Sequence, residues 1–483
     1  MSHEHAGDGA APSDPDQQGD QQGNAPFGNE DGDDVGTLPP VTPPSLSQPG
    51  IPPAFATFVS GLPVGFVQAF EAAAPNGTPW TAQTIDGTAF DSATLNGPVA
   101  LFADITTPQP NPLVMTGNNV VGLVSDGTAP LTVLDTATPY QYIATGDGGM
   151  TLVAQSASGS FVAQGGTNVV SMAQTGIKDW SFDLLGGTNQ VWLSGGNATV
   201  QTAAGSTNLI AFGSGNAVAD SAGTDLFFGG AGNDTILATG SNVSVVGGSG
   251  TMTFIDTASV GSSQSLLMFG GAGSIDVQGG SGSDTVVTGS GGGEVFGGSA
   301  GNNLLVGGGG PATLVGGGAG DTIIAGPGGG DDLVASHGNQ TLIGGSGGNN
   351  ILWGGSGNDV MVLTGGNNSV MGGSSGTDVI WSGSGNNFIN TEAANVMVVA
   401  GPGGNDTVQA GSGMDIFAFV NGQAGGSMVI DNFNTATDSL NLVGYGAKSD
   451  TVVSTGGSTT ITLADKTQIQ LVGVASLPAS AFT

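Results

Sequence analysis

The stretch GGSGNDVMV, running from Gly354 to Val362, decides how this chain folds. Its first half is glycine-dense and its second half favours β-structure, which describes a tight turn followed by a short strand. The same nine-residue block recurs as GGAGNDTIL from Gly229 to Leu237 and as GGSGSDTVV from Gly279 to Val287. Looser copies are GGGAGDTII from Gly316, GPGGGDDLV from Gly326, GPGGNDTVQ from Gly401 and AGSGMDIFA from Ala410. From about Asp220 to Ala418 the chain divides into such blocks, with occasional one-residue insertions. Their eighth position stays apolar, at Ile236, Val286, Leu314, Ile323, Leu342, Ile351, Met361, Val370, Ile389, Val398 and Phe417, so one inward side chain is expected per block.

A repeat this short cannot bury an apolar face alone and has to stack on its neighbours. Two blocks make one turn of a flattened coil, so residues 18 or 19 apart lie in adjacent layers about 4.8 Å apart. The predicted fold is all-β: a parallel β-roll or β-helix solenoid of about eleven turns over this tract, roughly 50 Å long. Upstream, GGTNQVWLS from Gly186, GGNATVQTA from Gly195 and AGSTNLIAF from Ala204 keep the beat without the aspartates, so the coil is expected to begin near Thr116. Between Asp256 and Phe269 the beat is lost and a loop is expected. The sequence thus suggests an acidic disordered leader (1–50) and a small β-rich region with a short helix (51–115). A degenerate β-helix (116–219), the regular roll (220–418) and a β-rich C-terminal cap (419–483) follow.

The charge balance narrows the function. The 483 residues include 37 Asp+Glu against 3 Lys+Arg, a formal net charge of −34. Nucleic-acid binding needs cations to displace counterions from phosphate, and Lys178, Lys448 and Lys466 are too few. The same shortage disfavours polyanionic substrates and acidic membranes. There is no Cys, which removes disulfides and Cys-based zinc sites. No run of about 20 apolar residues provides a membrane span. The N-terminus has neither the basic start nor the apolar core of a cleavable signal peptide. Such an excess of negative charge points to divalent cations.

The motif G-G-x-G-x-D-x-U-x, with U a large apolar residue, resembles the RTX calcium-binding β-roll repeat, and the resemblance covers some 200 residues. It implies that turn carbonyls and the block's aspartate hold Ca²⁺ between stacked turns, as suits a hard ion with oxygen ligands. The candidate ligands are then Asp234, Asp284, Asp321, Asp331, Asp359, Asp378, Asp406 and Asp415, with Gly229, Gly354 and Gly357 shaping the turns. Asp359 and Asp378, 19 apart, are expected to stack in neighbouring layers. In GGSGTMTFI from Gly247, Met252 replaces the aspartate, so fewer ions than blocks are expected. On the opposite edge Asn349, Asn367, Asn386 and Asn405 recur at the same period and suggest an amide ladder that needs no metal. The segments DIFAF (Asp415 to Phe419), IDNF (Ile430 to Phe433) and DSLNLVG (Asp438 to Gly444), followed by ITLADKTQIQLVGVASLPASAFT, look like the cap and uncleaved export signal of RTX proteins that use type I secretion.

Catalytic constellations are weak. The G-x-S-x-G matches at Gly297, Gly344 and Gly372 follow from glycine-serine repetition. His337 has no base-and-orienter set, and His3-Glu4-His5 lacks helical i, i+4 spacing. Trp353 and Trp381 read as wedges or edge caps between blocks. The expectation is a non-enzymatic, secreted, calcium-binding structural protein of a Gram-negative bacterium. It would be exported by type I machinery to the cell surface, where it associates with itself or with surface polysaccharide as a surface layer, adhesin or matrix fibre. The alternative is a β-helix polysaccharide lyase, epimerase or hydrolase using the pair Asp179 and Asp183 beside Lys178.

Overall fold

A computed structural model describes residues 51–74, 77–85, 97–137, 140–155, 158–172, 179–240, 242–257, 264–446 and 451–482. The chain divides into Met1–Ser47 and Gln48–Thr483, and every described residue lies in the second unit. The leader expected over 1–50, Lys178 and Lys448 lie outside the described residues.

The second unit is a parallel β-solenoid. Each turn contributes one short strand to sheet A and one to sheet B, and the two sheets face each other across a single apolar core. Leu304 pairs with Thr322 and Thr341 with Val360, spacings of 18 and 19 residues, as the double block requires. The parallel stacking starts ahead of residue 116, because Thr81–Ile85 pairs with Val99–Ala103 and that strand pairs with Val120–Ser125. Where the beat fails, Val243 pairs with Leu266 and Met252 with Ile275, so that turn is five residues longer than an 18-residue one. Part of the expected loop, 258–263, is not among the described residues.

The core follows from the block. Ile236, Val286, Leu305, Ile323, Met361, Ile380 and Phe417 are fully buried, and each such side chain removed from water contributes about 1.5–3 kcal/mol. One expected inward residue is displaced. Ile351 lies on the outer face of sheet A and Leu352 fills the core instead, because the preceding turn GGSGGNN carries one extra residue. Trp353 and Trp381 are not wedges either; each ends a strand, on the outer face of sheet A and sheet B respectively, and is 45% exposed.

Both ends are dressed differently. Gly61 and Pro63 break the expected helix into α1 (Ala56–Ser60) and α2 (Val64–Glu71), while Gly65, also expected to interrupt it, lies within α2. Phe55, Phe58, Phe66 and Phe70 pack together on the outer face of sheet A, against Ala100, Phe102, Val121 and Val124. At the C-terminus, Thr451–Thr455, Ser458–Thr462 and Gln468–Leu471 form an antiparallel meander whose last strand pairs in parallel with Gly425–Asp431. This is the β-rich cap, and it covers an edge that would otherwise present unpaired backbone groups.

Candidate metal centre

A turn, glycine-rich in most copies, precedes each strand of the roll, and the residue that closes the turn points into the corner between the sheets. These closing residues form two columns. On the sheet A side the pairing aligns Asp331, Asn350, Asn368, Asn387 and Asp406. On the sheet B side it aligns Asp284, Asn303, Asp321, Gln340, Asp359 and Asp378, with Asp415 above Asp438 further along.

All eight candidate aspartates occupy these columns and none is more than 4% exposed. Their bonding is uniform. In every case Oδ1 accepts the backbone N–H of the residue one layer earlier: Ala217 for Asp234, Leu266 for Asp284, Asn303 for Asp321, Ala312 for Asp331, Gln340 for Asp359, Asp359 for Asp378, Asn387 for Asp406 and Val396 for Asp415, all at 2.8–3.1 Å. The carboxylate thus serves as a cross-layer acceptor. Oδ2 turns back to the glycine turn, accepting from Gly230 for Asp234, Gly326 for Asp331, Gly373 for Asp378 and Gly411 for Asp415. At Asp284 and Asp359 it has no hydrogen-bond partner although it is buried.

Burial pushes these acids toward the protonated form. Desolvation raises the pKa of Asp234 to about 6 against two opposing backbone N–H bonds. It is also the first cause of the upward shifts at Asp284, Asp378 and Asp406. At Asp359 burial comes first, the Gln340 N–H opposes it and the charge of Asp378 adds to it. At Asp415 the neighbouring Asp438 adds to burial in the same way. These are the conditions under which a bound cation, or a proton, is most favourable.

Among the described residues no three Asp, Glu, His or Cys side chains converge as a metal cage. A cation here therefore draws most of its ligands from backbone carbonyls, which Ca²⁺ accepts and zinc rarely does. The glycines permit this. Gly357 has φ +136°, and a Cβ there would sit 2.4 Å from the Gly338 carbonyl oxygen one layer away. On Gly229 it would lie 2.6 Å from the Gly248 nitrogen, and on Gly354 3.0 Å from that of Gly373. A groove of about 370 Å³, lined by Ser336, Trp353, Gly354, Gly372 and Glu392 among others, runs along the outside of the turns that close at Asp359 and Asp378.

The columns separate the candidates. Asp359 and Asp378 are stacked neighbours, as expected from their spacing. Asp415 stacks on Asp438, a residue that spacing did not single out because the register there is 23 residues. Asp234 faces Ala217 on one side and Met252 on the other. Asp321 lies between Asn303 and Gln340, and Asn303 donates to it through Nδ2 at 2.9 Å. The expected ladder of Asn367, Asn386 and Asn405 exists, with Oδ1 of Asn367 and of Asn386 accepting the backbone N–H one layer on at 2.8–3.0 Å, but it is exposed, and Asn349 joins it only through its backbone. A second ladder, buried, lies one residue further along at Asn350, Asn368 and Asn387.

Of the enzyme alternative, Asp179 is exposed and accepts from Asn197, while Asp183 is a sheet A residue whose pKa burial raises. Four residues of extended chain separate the two Cα positions by about 13 Å. Paired glycosidase carboxylates stand roughly 5–9.5 Å apart.

The fold and its corners define a parallel β-solenoid whose turns offer carboxylate and carbonyl oxygens between layers. A family model for the RTX calcium-binding nonapeptide repeat matches this chain in four copies, over residues 211–251, 338–370 and 372–395. The chain thus carries RTX calcium-binding repeats, and the matched segments contain Asp234, Asp359 and Asp378. No curated protein matches the chain.

Proposed function

We propose that this is a secreted structural protein whose roll is completed by Ca²⁺ outside the cell. The observation that carries the reading is the stack of Asp359 on Asp378, with a buried, unpartnered Oδ2 between glycine turns in an RTX-matched segment. Asp359 and Asp378 are the principal ligand pair, and Asp415 with Asp438 is the second. Asp234, Asp284, Asp321, Asp331 and Asp406 are supporting positions, with Gly229, Gly354 and Gly357 holding the turns open. When bound, Ca²⁺ supplies positive charge to corners that otherwise confine carboxylates. The chain's own part is to align acceptors across layers and keep side chains out of the turns.

The charge of −34 links binding to folding, since each ion removes two units of self-repulsion. Sites of about 10⁻⁴ to 10⁻³ M affinity remain empty in a calcium-poor cytosol and fill outside. Export of a loose chain by type I machinery from a Gram-negative cell, followed by ordering at the surface, fits this linkage. A role in a surface layer, adhesin or matrix fibre is favoured over glycoside hydrolysis because about 13 Å of extended chain separates Asp179 from Asp183. The test is circular dichroism of chelated protein titrated with Ca²⁺. A gain of β-signal at millimolar Ca²⁺, absent with Mg²⁺, is expected; an unchanged spectrum and unchanged thermal midpoint would refute the reading.

A further inference from the structure

The two outer faces of the solenoid differ in a way that the calcium sites do not explain. On sheet A the outward positions include Asp220, Asp276, Glu294, Asp332 and Asp431. On sheet B, from Leu113–Gly117 through Ile416–Val420, no outward strand position carries a charge. One outward column of sheet B starts at Val114 and reaches Ala418 through 17 paired strands, and Ser171 is its single polar member. Its central stretch, Phe228, Val246, Phe269 and Val287, is stacked rung on rung, and Phe269 is 47% exposed.

An uncharged face on a chain of charge −34 requires an explanation, since long, flat apolar sheet faces invite association. Where sheet A is apolar outside, at Ala100, Phe102, Val121 and Val124, the chain covers it with α1 and α2. No described helix covers sheet B in that way, and only the last two members of the column, Val399 and Ala418, are buried. The leader is a poor cover, because its Asp and Glu outnumber its large apolar residues.

We propose that sheet B is the face through which two copies of this chain pair, sheet against sheet. Of the two described sheet faces, it is the one on which two such polyanions meet without opposing carboxylates. Seventeen layers at about 4.8 Å and a strand width of about 10 Å give roughly 800 Å² per copy. That matches the ~800 Å² per partner of a standard stable interface. A two-fold pairing with the coils antiparallel and fully overlapped places the middle rung, Phe269, opposite itself and Val114 opposite Ala418. This deepens the structural reading above and rests on it, since it identifies the surface by which the filled roll assembles.

The test is sedimentation velocity of the full chain in millimolar Ca²⁺, at low and high NaCl. Wild type is expected to dimerise, more tightly at high salt, because salt screens the repulsion between copies and leaves apolar contact intact. Val287→Asp and Ile324→Asp should each raise the dissociation constant roughly 100-fold or more. Val315→Asp, on the outer face of sheet A, should leave it unchanged, with circular dichroism verifying that all three fold. Phe269→Cys, the sole thiol in the chain, should give a disulfide-linked dimer on mild oxidation while Val114→Cys does not. If the dimer survives both sheet B substitutions and Phe269→Cys fails to cross-link, the face is wrong although self-association stands. A wild-type monomer at every concentration and salt would overturn both.

Discussion

Replacing Asp359 by Asn separates the metal's contribution from that of the corner's hydrogen bonds, because the two respond with opposite sign. The amide oxygen retains the 2.8 Å bond from the Gln340 N–H. What changes is Oδ2, which is buried, unpartnered and raised in pKa by desolvation with Asp378 next to it. In the substituted protein that atom becomes an N–H donor. The columns already show where such a donor goes: Asn303 Nδ2 reaches the Gly298 carbonyl at 2.7 Å and Asn387 Nδ2 the Ser382 carbonyl at 2.8 Å, each five residues earlier. For position 359 the equivalent carbonyl is that of Gly354. An unsatisfied buried polar atom costs about 1–3 kcal/mol, so without metal at pH 7 Asp359→Asn should be more stable than wild type by about that amount. With Ca²⁺ the variant lacks one anionic ligand, and affinity at that corner should fall tenfold or more, about 1.4 kcal/mol. Urea denaturation followed by circular dichroism, in chelator and in millimolar Ca²⁺, reads both effects. If the variant is destabilised in chelator and its calcium response is unchanged, Asp359 is a purely structural acceptor and the assignment of the metal corner fails.

Other outcomes follow from the same corners. Because the folded pKa of Asp234 is raised from 3.8 to about 6, its contribution to stability is fully present below pH 3.8 and lost as pH rises through about 6. Asp284, Asp359, Asp378, Asp406 and Asp415 shift in the same direction, so the chelated protein should melt higher near pH 4 than at pH 7, as differential scanning calorimetry would reveal. Calcium affinity should fall over the same range as protons compete for the carboxylates, which isothermal titration at pH 7 and pH 5.5 checks. Asn387→Ala removes bonds to the Asn368 N–H, the Ser382 carbonyl and Asp406, and should cost about 1–3 kcal/mol in chelator and in Ca²⁺ alike, by urea midpoint. Gly357→Ala places a methyl 2.4 Å from the Gly338 carbonyl at φ +136°, and should lower the thermal midpoint and the calcium affinity together.

The period was legible in the sequence because it is local: a glycine turn, an inward apolar residue, and the same again nine residues later. Pleat direction was not. Asn349 and Asn350, Asn367 and Asn368, and Asn386 and Asn387 offer two ladders with identical spacing, and only the way each strand leaves its turn decides which one is buried. Ile351 faces outward for the same reason, since one extra turn residue exchanges in for out. Asp438 escaped because five residues inserted into its turn hide its alignment with Asp415, and Gln340 because its residue type is foreign to the block. The packing of α1 and α2 on sheet A was beyond pattern reading, as their partners Ala100, Phe102, Val121 and Val124 come from separate rungs.

The order of residues within the sheet B corner accounts for the uneven demand for metal. An amide can accept on one side and donate on the other, and Asn368 and Asn387 do both, each accepting the backbone N–H of the layer before and donating to a carbonyl of its own turn. A carboxylate only accepts, and each one in a buried column adds lone pairs with no donor to meet them. From Asp284 the sheet B column alternates acid and amide through Asn303, Asp321 and Gln340 to Asp359. Within it the Asn303 amide meets the Asp321 carboxylate directly. The alternation then breaks, because Asp378 follows Asp359 with no amide between them. Two acids in succession leave a deficit of positive charge that the protein's own groups do not fill. A cation bound there completes the column, whereas one bound beside Asp321 would compete with an amide already in place. Ions should therefore enter first where acids are consecutive, at Asp359 with Asp378 and at Asp415 with Asp438, and the metal-free amide run on the opposite edge would hold the layers in register while they do.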